Sequence, residues 1–371
     1  MANFWQSCFA SEDGDSAWLI CSSFATTTTL QICHDKIISS KNQTCCKHIP
    51  TKTTLAELAE ELSRTNDIVI SHMRRTANVR TKIPKPSYDS RNECRTLPLT
   101  PDDPPFSASE IDAAIKNLHS QKAPGPDGLY GDIIKEAYAI NPILFRDLYN
   151  KCLRMGHFPR RWKSAQVVLF NKQNKTDDDP SAYRPICLLD ALGKVLDKLV
   201  TQWLFHHLLS NNLLNINQFG FTPGKSATDA ILEIKNWIAE ARAEGQHSIV
   251  ISLDVQSAFS RVRWPKVLHT LKDLECPANI FKLVSSFLDD RQAFINYDGC
   301  SLRKNYSVGC PQGSNSGPLY WLLIANEVLN IQFEEDVRLL AYADDFCLFI
   351  KATCKHIIQE HATIALEQLD L

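Results

Sequence analysis

Behind Ser107 and Glu110, the apolar residues Ile111, Ala114, Ile115 and Leu118 recur at the spacing of one helix face. Ser107 and Glu110 themselves have the spacing of a capping box, which satisfies the first free amides of a helix. The segment KAPGPDG, residues 122–128, interrupts the pattern with two prolines and two glycines and predicts a loop of defined shape. Helical periodicity resumes over Ile133 to Tyr138, Ile143 to Leu153 and, at greater length, Ala191 to Leu209. Ser226 and Asp229 predict another capped helix reaching Ala243. Further helical segments lie near Val267 and Phe281, at Leu319 to Leu329 behind the turn GCPQGS, and from His356 to the end. Other runs read as strands: Ala165 to Phe170, strands near Phe294, and SIVISLD from Ser248 to Asp254. The last is β-branched and continuous, as in a strand buried on both faces, and it ends on a carboxylate. Val337 to Tyr342 and Phe346 to Ile350 predict two more strands, reversing at Ala343-Asp344-Asp345. Helices and strands mix without strict alternation, which predicts an α+β fold rather than a doubly wound sheet.

Residues 1–105 are different in kind. They carry a Thr run (Thr26 to Thr29), the polar tract SSKNQTCCKH, the proline-rich PLTPDDPP and one helical pattern at Leu55 to Leu62. No chemistry is legible in them.

At 371 residues the chain exceeds what one core usually supports, so two or three subdomains are expected. No apolar stretch is long enough for a membrane helix, and the first residues lack the pattern of a secretory signal. Thirteen cysteines are spread thinly and form no C-x-x-C pair, so they read as reduced thiols of an intracellular protein rather than a zinc or disulfide framework. A net charge of −2 argues against a nucleic-acid protein, but the average hides an asymmetry. Between Lys151 and Lys175 stand seven basic residues and no acidic one. That stretch reads equally well as a phosphate-binding surface and as a solvated basic face.

Two adjacent aspartates, Asp344 and Asp345, at a hairpin between apolar strands are costly unless something offsets their charge. A plain surface turn would also account for them. Asp254, at the end of another apolar strand, sharpens the reading. Two such strands lying side by side would bring carboxylates together as oxygen ligands for Mg²⁺. Paired divalent ions activate a hydroxyl and stabilise a leaving pyrophosphate, so the chemistry needs no nucleophilic side chain.

ISLDVQSAF, GCPQGSNSGPLYW and AYADDF resemble, in order, three palm motifs of reverse transcriptases. KAPGPDGL, FPRRWKSAQVVLFNK, YRPICLLDALGKVLDKLV and NQFGFTPGKSATDAI resemble the fingers blocks of the non-LTR, LINE-like retrotransposon family. The resemblance runs from about residue 106 to 371. It implies a right-hand polymerase fold with an antiparallel palm sheet, fingers at 106–247 and palm at 248–371, behind an undefined region at 1–105. It implies RNA-directed DNA synthesis from dNTPs on an RNA template and a DNA primer or target, with Mg²⁺ (Mn²⁺ as substitute), by two-metal phosphoryl transfer. The element's own RNA is an expected partner, and the cytoplasm and nucleus are the expected locations. By position, Asp254 and Asp344 resemble the direct metal ligands and Asp345 the third carboxylate. Phe259 stands where the family excludes a ribose 2′-hydroxyl. Gln312 and Gly313 match positions near the nucleotide and template, and Arg184 the arginine gripping the triphosphate, with Lys172 assisting. Trp162 reads as packing rather than a base-stacking platform.

Ser260 departs from the aspartate common at its position, which implies a structural effect and intact catalysis. The chain ends shortly after Asp345, so the thumb is expected to be missing and the chain to be truncated. Three other readings stay open: an inactive remnant that binds RNA or an RNA–DNA hybrid, a pseudogene product, and a different two-metal enzyme such as a nuclease. The nuclease has no use for PQG and YRPI.

Overall fold

The computed structural model describes residues 17–23, 96–171, 182–255, 257–297 and 300–369. Two compact units divide the chain: Met1–Phe24 with Pro86–Val168 and Pro185–Leu371, and Ala25–Lys85 with Leu169–Arg184. Almost all described residues belong to the first, which takes in all of 248–371 and most of 106–247. The helical pattern at Leu55 to Leu62 lies outside the described residues.

The described elements are, in order, β1 (Ala17–Ser23), α1 (Ala108–Lys116), α2 (Gly131–Ile140), α3 (Pro142–Met155), β2 (Ser164–Asn171), β3 (Tyr183–Leu188), α4 (Ala191–Ser210), α5 (Ala227–Ala243) and β4 (His247–Asp254). There follow α6 (Ala258–Arg261), α7 (Trp264–Asp273), α8 (Ala278–Leu288), β5 (Arg291–Tyr297), β6 (Cys300–Tyr306), α9 (Gly317–Leu329), β7 (Val337–Tyr342), β8 (Asp345–Ala352) and α10 (Lys355–Leu369). The periodic segments fold as their spacing predicts, and both capping boxes form. The Ser107 and Ser226 hydroxyls accept from the amides of Glu110 and Asp229, whose carboxylates accept from the serine amides in return. Three elements have no counterpart in the apolar pattern: β1, β3 and the single turn α6.

One sheet has the order β1-β4-β8-β7 and the other β3-β2-β5-β6. The expected antiparallel arrangement holds for β4, β8 and β7. β1 joins β4 in parallel, which makes the first sheet mixed. In the second sheet β2 runs parallel to β5 and β5 antiparallel to β6.

Strands β4, β7 and β8 of the first sheet are buried on both faces, and their residues alternate accordingly. Ile251 and Leu253 of β4, Leu339 and Ala341 of β7, and Phe346, Leu348 and Ile350 of β8 enter the main core with α4, α7, α8 and α9. Their neighbours Val250, Leu340, Cys347 and Phe349 pack on the other face with Ile234 and Trp237 of α5. Every residue of β8 is buried. This explains why its sequence is a continuous apolar run. Trp162 packs in the main core between Tyr149 and Phe158, against Gly193 of α4, where a methyl group would meet it at 2.8 Å.

Leu348→Ala in β8 is expected to cost about 2–5 kcal/mol in denaturant unfolding, through lost burial and the cavity left behind. Leu302→Ala, at a β6 position that is half exposed, should stay within about 0.5 kcal/mol of the parent.

Candidate active site

The antiparallel register of β4 and β8 sets Asp254 directly opposite Asp345 at the end of the first sheet. Asp344 precedes Asp345 in the tight reversal from β7, whose last residue, Tyr342, also pairs with Asp345. The three aspartates singled out from sequence are therefore brought to one sheet end. Asp345 is buried while Asp254 and Asp344 are half-buried. Burial first, and then the charges of Asp344 and Asp254, push the Asp345 carboxyl up to about 7. A site that resists its own ionisation in this way favours a cation.

The reversal is strained. Ala343 has φ +60°, a left-handed conformation that costs a residue other than glycine roughly 1–2 kcal/mol. Its surroundings hold it there. The Trp321 indole N–H, from α9, donates to the Ala343 carbonyl at 2.8 Å. Residues Asn217 and Phe219 exchange backbone hydrogen bonds with Ala341 at 3.0 and 2.8 Å. Gly220 then lies so close that a methyl group there would stand 1.8 Å from the Ala343 nitrogen. The role of the NQFGF segment is thus to clamp the aspartate hairpin from outside, and its glycine is required by a close backbone approach.

Phe259, on α6 just after Asp254, is half-buried between Phe221 and Trp321, with ring centroids 5.8 and 6.3 Å away. Its carbonyl accepts from the Cys310 amide at 2.8 Å, and this leads into the PQG turn. There the Gln312 carbonyl accepts from the Cys187 amide of β3 at 2.7 Å. Gly313 has φ +119° and would place a methyl group 2.7 Å from the Cys187 carbonyl, so this position also requires glycine. Ser260 is exposed, and it is its backbone that packs against Gly309.

Arg184 is exposed and belongs to the second unit, and Lys172 lies outside the described residues. The basic stretch is not one surface. Lys163 is buried and donates to the Ser286 carbonyl at 3.1 Å, while Arg160 pairs with Asp290 at 3.0 Å.

Two buried carboxylates escaped notice in the sequence. Asp197 of α4 accepts from the backbone amides of Asn315 and Ser316, fastening the segment after PQG to the core. Desolvation raises its pKa. Asp190 accepts from the Asp127 amide at 3.1 Å in the KAPGPDG loop, and Gly125 abuts its backbone. Desolvation pushes Asp190 up to about 6. The available signal was an acidic residue at the start or on the apolar face of a helix pattern.

No three His, Cys, Asp or Glu side chains among the described residues converge into a complete metal cage. The donor set still fits Mg²⁺, which is commonly held by one or two carboxylates with waters and substrate phosphates completing its shell.

Residues 171–370 match the family model described as reverse transcriptase (RNA-dependent DNA polymerase). Among curated proteins, the chain is 34% identical over 271 residues to the Retrovirus-related Pol polyprotein from type-1 retrotransposable element R1 of Bradysia coprophila, covering 73% of this chain and 26% of that protein. It is 32% identical over 261 residues to the RNA-directed DNA polymerase from mobile element jockey of Drosophila melanogaster, covering 67% and 28%. A Pol polyprotein from element R2 of Popillia japonica is 26% identical, covering 66% and 34%. The chain spans about a quarter to a third of the length of these relatives.

Gly220→Ala should destabilise the protein by roughly 2 kcal/mol or more in denaturant unfolding, because backbone blocks the new methyl group on the hairpin side. Ala343→Gly should stabilise it by up to about 1 kcal/mol, relieving the left-handed strain. Asp190 holds its proton to higher pH when folded than when unfolded, so the native state loses stability as pH rises from about 4 to about 6. Asp190→Asn should remove that loss. Its unfolding free energy in denaturant should exceed that of the parent above pH 6, by roughly 1–3 kcal/mol, and converge with it below pH 4.

Proposed function

The chain belongs to the reverse transcriptase (RNA-dependent DNA polymerase) family, and on that premise we propose that it forms the fingers and palm of an RNA-directed DNA polymerase of a non-LTR retrotransposon. The carrying observation is Asp254 registered against Asp345, next to Asp344, at one end of the β4–β8–β7 strands, with β8 buried throughout. In this reading Asp254 and Asp344 hold divalent metal, and Asp345 contributes charge from behind them. When bound, Mg²⁺, or Mn²⁺ in its place, would lower the pKa of the primer 3′-hydroxyl and neutralise the phosphates of an incoming dNTP.

The protein's own residues position the reactants. Phe259, backed by Phe221 and Trp321, forms the wall that rejects a ribose 2′-hydroxyl. Gln312 and Gly313, held against Cys187, line the approach of nucleotide and template. Arg184 grips the triphosphate through its forked donors, assisted by Lys172. The RNA template, the DNA primer or target and the element RNA are the partners of this reaction, in the cytoplasm and nucleus. A remnant that only binds RNA would share the fold and the basic surfaces, but it would place no demand on the three aspartates.

Primer extension on an RNA template with a DNA primer tests the reading. With Mg²⁺ or Mn²⁺ the parent should extend, and Asp344→Asn should lower incorporation by at least about 10³-fold, in line with loss of transition-state charge stabilisation. Phe259→Val should retain dNTP incorporation and gain use of rNTPs. Extension that survives Asp344→Asn would refute the assignment, and absence of extension by the parent would favour the RNA-binding remnant.

A further inference from the structure

Among the described residues, six other than glycine have left-handed backbone: Asn212, Phe221, Ser257, Glu275, Asp290 and Ala343. Asn212, Glu275 and Asp290 stand two residues behind α4, α7 and α8, where a left-handed residue commonly closes a helix. The other three gather at the aspartates. Ala343 forms the hairpin, Ser257 lies between Asp254 and α6, and Phe221 follows Gly220 in the segment that clamps the hairpin. In a bulky aromatic residue this conformation is a marked departure (φ +59° at Phe221), and it persists only where the surroundings over-determine it.

Phe221 is held by its chain neighbours. Gly220 abuts the Ala343 backbone, and Thr222 is buried, its hydroxyl donating to the Gly220 carbonyl at 3.5 Å. The Phe221 ring is 41% exposed and meets Phe259 edge to face, with the planes at 79°. Phe259 needs such support, because α6 is a single turn without a side-chain cap. Its second aromatic neighbour, Trp321, is buried and bound to the Ala343 carbonyl. The contacts close a circuit that runs from Ala343 through Gly220, Phe221, Phe259 and Trp321 back to Ala343. Phe221 is the most exposed of its three rings.

We propose that Phe221 is a positioning residue that sets discrimination between deoxyribose and ribose at the incoming nucleotide. Its ring holds Phe259 where a 2′-hydroxyl would collide, and its left-handed backbone ties that place to the hairpin of Asp344 and Asp345. The inference rests on the proposed function for the nucleotide as ligand. An edge-to-face aromatic pair shifts a conformational equilibrium by roughly three- to tenfold beyond the effect of its buried area. Here that shift opposes withdrawal of the Phe259 ring. Removing the Phe221 ring would let Phe259 turn aside for a ribose, while contacts made to base and phosphate by other residues stay as they were. A support of the fold alone would weaken both sugars alike.

The test measures nucleotide binding and needs no turnover. The full chain is bound to an RNA template and a DNA primer ending in a dideoxynucleotide, with Mg²⁺. It is then titrated with the matching dNTP or rNTP, read by the fluorescence of 2-aminopurine beside the templating base. Phe221→Ala should lower the ratio of rNTP to dNTP dissociation constants roughly three- to tenfold, through tighter rNTP binding, with dNTP affinity within about twofold of the parent. Phe221→Tyr keeps the ring and should keep the parental ratio. Phe221→Gly guards against misfolding. Glycine accepts the left-handed backbone, so its denaturant midpoint should not fall below that of Phe221→Ala, yet it should lose the same discrimination. An unchanged ratio in Phe221→Ala and Phe221→Gly would overturn the proposal. So would equal weakening of both nucleotides, or a parent that binds neither or does not distinguish them. Extension of an unblocked primer separates the two claims. A parent that extends, with variants that keep its ratio, refutes only the role of Phe221. A parent that binds nucleotide selectively without extending the primer refutes only the polymerase, and a lowered ratio in the variants then still upholds Phe221.

Discussion

The pairing of β4 with β8 forces carboxylates together where apolar packing would keep them apart. Of the eight paired positions, four join apolar residues of both strands (Ile249–Ile350, Val250–Phe349, Ile251–Leu348 and Leu253–Phe346), and the register they set ends where Asp254 meets Asp345. Burying Phe346, Leu348, Phe349 and Ile350 contributes roughly 6–12 kcal/mol at about 1.5–3 kcal/mol each. Holding Asp345 at about 7 costs roughly 4 kcal/mol when it is ionised. Core burial therefore outweighs carboxylate repulsion, and a rigid sheet keeps an acidic site poised for a cation.

The hairpin carrying Asp344 shows the same economy. Its left-handed Ala343 would be unfavourable in an isolated turn. Here the Trp321 hydrogen bond on one side and the Asn217–Gly220 segment on the other determine its geometry. Trp321 also lies against Phe259, so the helix that steadies the aspartate turn helps to shape the neighbouring aromatic wall. Behind the PQG turn, the buried Asp197 and the fully buried Arg291 form a polar foundation. Arg291 donates to the Phe287 carbonyl and the Tyr306 hydroxyl. Such groups are expensive to bury and position the turn by the bonds they require.

Charge is distributed by place rather than by total. A chain close to neutral gathers three aspartates at one sheet end, buries Asp190 and Asp197 as acceptors of backbone amides, and lines one cavity with three lysines and no carboxylate. The sequence stretch with the highest basic density is partly consumed by packing, as Lys163 illustrates. Linear charge density is therefore a poor guide to surface potential when a long side chain can reach a buried carbonyl.

Periodicity by itself determined the helices from α1 to α10 apart from the single turn α6, both capping boxes, and the buried strands β4, β7 and β8, because each depends on residues near in sequence. The aspartate motif was legible for the same reason: a strand ending in Asp254 and a turn at Asp344-Asp345 are local patterns. β3 and β1 were not legible, since their strand character comes from a neighbouring strand's unpaired edge and not from alternation of their own. Tertiary structure alone decided that Asp254 faces Asp345, that Gly220 and Gly313 abut foreign backbone, that Asp197 is buried, and that Lys122 shares a cavity with Lys194 and Lys198. Each of these joins residues far apart in the chain, where short-range spacing carries no information and only packing and hydrogen-bond satisfaction select the partner.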